Sequence, residues 1–224
     1  MFCTSVCNYA HFDFILCLLY RYGIDLCSAL QYLHSKGISH LDVKPANIFL
    51  KDNGGCKLGD FGCSRKATSY CDTVAMSTTN ATSALTGTVV YRAPELLRGK
   101  APTSKADVYS VGITLWHMLT RETPFAGQDL HAIVFGVVAY NRRPVFPGND
   151  NASNCSWYES LCALCWAGNP QNRPEAAEVV RRLKQHIDGN IDDNAWKELN
   201  WTPGIELFYN NSFGLVLADF VLRL

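Results

Sequence analysis

Eight consecutive residues, His40-Leu41-Asp42-Val43-Lys44-Pro45-Ala46-Asn47, bring a carboxylate, an ammonium and a carboxamide close together, and a second carboxylate, Asp60, follows thirteen residues after Asn47. A carboxylate can orient a hydroxyl and take its proton. An ammonium can offset negative charge developing beside it. Oxygen donors such as Asn47 and Asp60 suit a hard cation, Mg²⁺ above all. Taken singly, each is an ordinary solvated loop residue; as an ordered set they ask for a common purpose.

Chemistry of this kind needs a loop fixed at both ends. From Arg21 to Lys36 the apolar residues Ile24, Cys27, Leu30 and Leu33 recur every third position, one stripe of a helix, and Gly37 supplies its stop. Residues 1–20 carry no usable motif. After the polar loop, Ile48-Phe49-Leu50 and Cys56-Lys57-Leu58 flank the turn residues Asp52-Asn53-Gly54-Gly55 and predict a hairpin. Residues 63–88 read as a Ser/Thr-rich loop. Next comes a helix with Ser104 as N-cap and Asp107 three residues on, apolar on most faces through Val108, Val111, Ile113, Leu115, Trp116, Met118 and Leu119. Leu130 to Tyr140, Tyr158 to Trp166, and a stretch from Pro174 to about His186 complete a run of helices behind a single hairpin.

The loop, Asp60-Phe61-Gly62, Gly87-Thr88, Ala93-Pro94-Glu95, Asp107 and Arg173 occur in the order found in protein kinases, which the chain resembles from about residue 21 to 187. The resemblance implies roles. Asp42 is the base that orients the incoming hydroxyl, Lys44 offsets charge on the transferring phosphate, and Asn47 and Asp60 hold Mg²⁺ beside ATP. His40, Phe61, Gly62 and Thr88 belong to the same motifs, and Glu95 pairs with Arg173 to tie the activation segment to the helical lobe. Asp107 has a family role and a second reading, as an acidic N3 cap of its own helix. Lysine two residues after Asp42, with Thr88 downstream, is similar to serine/threonine kinases. His40 to Asn47, Asp60 to Ser64, Tyr91 to Glu95, Lys105 to Trp116 and Val137 to Pro144 look like the Mos-type kinases, upstream in MAP kinase cascades, so a MAP kinase kinase is the implied protein substrate.

Three departures qualify that resemblance. Leu41 stands where many kinases carry an arginine that pairs with an activation-loop phosphate, so phosphorylation among Thr68 to Thr86 is not expected to be the main switch. Cys63, beside the Mg²⁺ aspartate, reads as a small residue fitting a tight site, with a reactive thiol as the alternative. Lastly, the first lysine is Lys36, the first glutamate is Glu95, and no G-x-G-x-x-G occurs, so the strand lysine, helix glutamate and glycine-rich cover of a complete kinase are missing. The expected fold is therefore mainly α: a kinase-like C-terminal lobe over residues 21–187, an unassigned lead-in over 1–20, a tail over 188–224, and an absent N-terminal β lobe. Apolar surface near Phe49 and Phe61 should then be exposed. A partial serine/threonine kinase is the favoured reading, with a non-catalytic kinase-like binding module as the alternative.

Composition narrows the partners. Hydrophobic residues make up 48%, charged residues 18%, and the net charge is zero, which argues for a packed core and against electrostatic recruitment to nucleic acid or a membrane. The cysteines read as buried thiols of a reducing compartment; Cys162 and Cys165 form a C-x-x-C with no second pair at zinc-site spacing. The sequons at Asn80, Asn151, Asn154 and Asn210 would matter only in a secreted protein. The runs Phe14–Tyr20 and Phe213–Leu224 are too short for a signal or a span, which makes the cytoplasm the default expectation.

Overall fold

The computed structural model describes residues 4–51, 54–66, 88–147 and 156–190. Helix α1 runs from Thr4 to Ser35 and so begins well before Arg21, where the apolar stripe becomes readable. The cause is visible in the packing. Leu16, Cys17, Leu18, Leu19 and Tyr20 are all buried, so the helix has no solvent side here and its apolar pattern loses the helical period. Further along, Leu26, Cys27 and Leu30 are almost fully inaccessible while Ile24 and Leu33 lie at the core's margin. Gly37, at φ 68°, ends the helix as expected, its amide donating to the carbonyl of His34.

Four short strands follow among the described residues. β1 (Ile38–Ser39) pairs antiparallel with β4 (Arg65–Lys66), and β2 (Ile48–Leu50) pairs with β3 (Cys56–Leu58) in the register Ile48↔Leu58, Phe49↔Lys57, Leu50↔Cys56. The expected hairpin is thus present, with Asp52 and Asn53 of its turn outside the described residues. The β1–β4 pair is an addition to the single hairpin expected, and it takes Arg65 and Lys66 out of the loop assigned to residues 63–88; residues 67–87 of that loop lie outside the description. A strand of two residues has no period to read.

The helical part comprises α2 (Pro94–Leu97), α3 (Ser104–Thr120), α4 (Leu130–Ala139), α5 (Ser156–Cys165) and α6 (Ala176–Asn190). Every residue of α3 from Ala106 to Met118 is buried. Around this axle pack α1 and α5, and α6 lies along α1. α6 is amphipathic and seats Val179, Leu183 and Ile187 in the core. Gly112 lets α3 and α5 touch: a Cβ there would stand 3.0 Å from the carbonyl oxygen of Cys162 and from the amide of Trp166. Each fully buried aliphatic side chain of this core contributes about 1.5–3 kcal/mol. Among the described residues no helix is long and apolar enough to cross a membrane.

Candidate active site

The polar loop is framed from below by one carboxylate. Asp107, fully buried on α3, accepts from the amides of His40 at 2.8 Å and Leu41 at 2.7 Å, and its Oδ2 lies 2.8 Å from Nε2 of His34 at the end of α1. Asp107 also stands in the first turn of α3, where an acidic residue suits the helix dipole, so the two readings of it are compatible. The N-cap of α3 is Thr103 rather than Ser104, its side chain makes no capping hydrogen bond, and the Asp107 oxygens are turned to the loop, whose two adjacent N–H groups offer a strong anion site. Leu41 sits at φ 66°, a left-handed conformation that costs a leucine about 1–2 kcal/mol and is sustained by these bonds.

His40 locks the loop to the second motif. Its Nδ1 accepts from the amide of Asp42 at 3.3 Å, so Nε2 carries the proton and donates to the carbonyl of Gly59 at 3.0 Å. Its ring meets Phe61 edge-on at 5.1 Å. The amide of Gly59 in turn donates to the carbonyl of Asn47 at 2.9 Å. Both ends of the hairpin are thereby drawn to one place, with Asn47 closing the 3₁₀ turn Pro45–Asn47 and Asp60 just past β3.

At the centre, Asp42 is 8% exposed and its two oxygens differ. Oδ2 accepts from Lys44 Nζ at 2.8 Å and Asn47 Nδ2 at 2.9 Å, whereas Oδ1 has no partner among the described residues. Lys44 also donates to Thr88 Oγ1 at 2.8 Å, which brings the far side of the Ser/Thr-rich segment to the loop. Asn47 Nδ2 donates a further bond to the carbonyl of Asp42 at 2.8 Å, which leaves Oδ1 of the amide as its available ligand atom. Asp60 is exposed at φ 56°, and its Oδ1 accepts from the amide of Gly62 at 3.2 Å. No hydrogen bond or ion pair joins Asp60 to Asp42, Lys44 or Asn47 among the described residues; the backbone bonds of Gly59 bring it near. Oxygen donors from Asn47 and Asp60, beside the uncommitted oxygen of Asp42, fit a hard cation and a hydroxyl.

Glu95 and Arg173 form a buried, two-pronged pair at 2.6 and 2.8 Å. Arg173 donates as well to the carbonyls of Lys105 and Ala167, and its guanidinium lies over Tyr109 at 5.0 Å. Burial pushes the Tyr109 hydroxyl up to about 12, against the lowering effect of the Arg143 and Arg173 guanidiniums. Phe61 is 51% exposed, as expected, while Phe49 is half-buried over Gly59, where a Cβ would meet its ring at 2.6 Å. Cys63 is exposed rather than fitted into a tight site, because the turn it occupies faces outward; Cys27, Cys162 and Cys165 are buried thiols, and burial pushes Cys165 up to about 12.

Sequence reasoning missed three supports. His34 meets Asp107 at 2.8 Å, Asp25 accepts from the amide of Cys56 at 2.8 Å and pins the hairpin to α1, and Tyr91 hydrogen-bonds His117 at 2.6 Å beneath the segment that carries Thr88. Burial holds His117 below the usual histidine range. None of these pairings leaves a local signal, since their partners are 26 to 73 residues apart.

Comparison with known proteins gives this geometry a context. The family model described as "Protein kinase domain" matches residues 17–183. The serine/threonine-protein kinase mos of Patiria pectinifera is 51% identical over 169 residues, 75% of this chain and 46% of that protein. The mos kinase of Xenopus laevis is 40% identical over 168 residues, covering 74% and 46%. The proto-oncogene serine/threonine-protein kinase mos of Mus musculus is 39% identical over 167 residues, covering 73% and 47%. The chain spans about half the length of the curated relatives it matches.

Proposed function

This chain belongs to the protein kinase family, and from that membership we propose that the protein containing it transfers the γ-phosphate of ATP to serine or threonine hydroxyls of a protein substrate. The observation that carries the reading is the asymmetry of Asp42. One oxygen is held by Lys44 and Asn47 and the other has no partner among the described residues, as a proton acceptor needs. On this reading Oδ1 of Asp42 orients the substrate hydroxyl and takes its proton. Lys44 keeps a positive charge beside the reacting centre, and its bond to Thr88 ties that charge to the substrate-side segment. Asn47 and Asp60 are the residues that would hold Mg²⁺. Bound ATP with Mg²⁺ supplies the transferable phosphoryl group and the metal charge; the protein's share is positioning.

Likeness to mos kinases favours a place upstream in a MAP kinase cascade, a MAP kinase kinase as substrate, and a cytoplasmic location. The strand lysine, helix glutamate and glycine-rich cover are not among these 224 residues, so the reading assigns the chain the catalytic and substrate-binding lobe, with residues 21–187 as its catalytic unit and the nucleotide-covering residues supplied from elsewhere. The test is phosphate transfer from labelled ATP to a serine/threonine peptide library by the protein containing this chain. Asp42→Asn should lower kcat by about 10²–10⁴-fold while the KM for ATP changes little. Equal turnover in the two proteins would reject the role given to Asp42, and no transfer by either would favour a kinase-like binding module.

A further inference from the structure

Nine residues along α3 from Asp107, about 13.5 Å at 1.5 Å per residue, Trp116 lines a cavity of about 220 Å³ that shares no residue with the candidate active site. Its buried wall is Trp116, Phe125 and Pro144, and its exposed wall carries Glu122, Gln128 and Arg142. Two of these residues are donors without acceptors. Trp116 is 2% exposed, yet its indole Nε1–H, the only donor of that side chain, meets no partner among the described residues. Leaving such a donor unpaired in the interior is costly. Arg142 stacks over Phe125 at 6.0 Å, and its guanidinium makes no hydrogen bond or ion pair among the described residues. Arg143 behaves differently: its guanidinium donates to Trp166, Arg142 and Asn141 and lies over Tyr109 at 4.9 Å, so it is a fixed part of the wall.

We propose that this cavity is a docking site for an acidic peptide segment of a partner protein. A carboxylate of the segment pairs with the Arg142 guanidinium, a carbonyl oxygen accepts from Trp116 Nε1–H, and a neighbouring apolar side chain covers Phe125 and Pro144. Charge selects the occupant. Glu122, Arg142 and Arg143 together leave the lining one positive charge, which suits a single carboxylate; a doubly charged phosphate would face Glu122 as well.

The indole signal of Trp116 reports directly on this site. In the ¹⁵N-labelled chain the five tryptophans give five indole N–H resonances. That of Trp116 is assigned by Trp116→Phe or, should that variant fail to fold, through contacts with Phe146, whose ring lies 6.4 Å away, once the signal of Trp166, 5.8 Å from the same ring, is identified by Trp166→Phe. The probes are N-acetyl-aspartyl-leucinamide and its asparaginyl and phosphoseryl counterparts. The aspartyl peptide should move the Trp116 signal saturably, and the asparaginyl peptide should bind about tenfold more weakly or worse, the loss expected for a charge-assisted bond. Arg142→Gln, at an exposed position, should cause the same loss with an unchanged melting temperature, while Glu122→Gln should tighten binding. A Trp116 signal that does not respond, responds equally to the asparaginyl peptide, or responds only to the phosphoseryl peptide overturns the proposal.

Discussion

The amide of Leu41 donates to Oδ1 of Asp107 at 2.7 Å while Leu41 itself is held at φ 66°, so a carboxylate on the buried helix sustains a strained backbone in the polar loop. Asp107→Asn keeps the shape but turns an NH₂ group toward one of the two loop amides. The substitution should destabilise the chain by about 2–3 kcal/mol, measured by urea unfolding. Adding Leu41→Gly removes the left-handed strain and should recover about 1 kcal/mol of that loss. Strict additivity of Asp107→Asn with a distant core substitution, but not with Leu41→Gly, would mark the coupling as specific.

Arg173 and Glu95 are matched as a planar fork on a carboxylate. Arg173→Lys retains the charge but cannot make both bonds or lie flat over Tyr109. Arg173→Ala leaves Glu95 buried and uncompensated and should cost about 3–5 kcal/mol. Thermal unfolding followed by tryptophan fluorescence should rank the native chain above the lysine variant and the lysine variant above alanine.

Gly112 is a packing device. With backbone atoms of α5 at 3.0 Å from a would-be Cβ, Gly112→Ala must push α5 away from α3 and should cost about 1–3 kcal/mol, despite the better helix propensity of alanine. A chain as stable as the native one in chemical denaturation would show that α5 moves freely.

On the exposed face of α6, Glu178 bonds Arg181 at 2.6 Å and Arg182 at 2.7 Å, and chiefly the Arg181 bond lowers its carboxyl to about 2. A carboxyl depressed in the folded state contributes stability above its unfolded pKa, about 4.3, and loses it as pH falls through about 2. The native chain should therefore exceed Glu178→Gln in melting temperature at pH 6, by a small margin for so exposed a pair, and the gap should close between pH 4.3 and 2. Salt should narrow the gap as well.

What the sequence makes legible follows from how local each feature is. Asp42, Lys44 and Asn47 announce themselves because their spacing is short and their types are unlike their neighbours. The helical periods of α3 and α6 can be read because each carries a long pattern. The start of α1 cannot, because burial on all sides from Leu16 to Tyr20 erases the contrast on which a period depends. The place of Asp107 near the start of its helix is legible, but its bonds to His40 and Leu41, 67 and 66 residues away, are not. The cavity beside Trp116 is the least legible feature, since its lining comes from three separated segments with no shared motif.

Asp107 gathers the end of α1, two amides of the loop and the body of α3 onto a single carboxylate. A loop tied in this way has no private route to opening. The amides of His40 and Leu41 should exchange with deuterium only when the whole helical body comes apart, at the rate of its most protected helix, while solvent-facing turns nearby exchange through local fluctuation. The loop and the core then form one cooperative unit, and damage anywhere in the core is felt at the loop as a change in how often it exists.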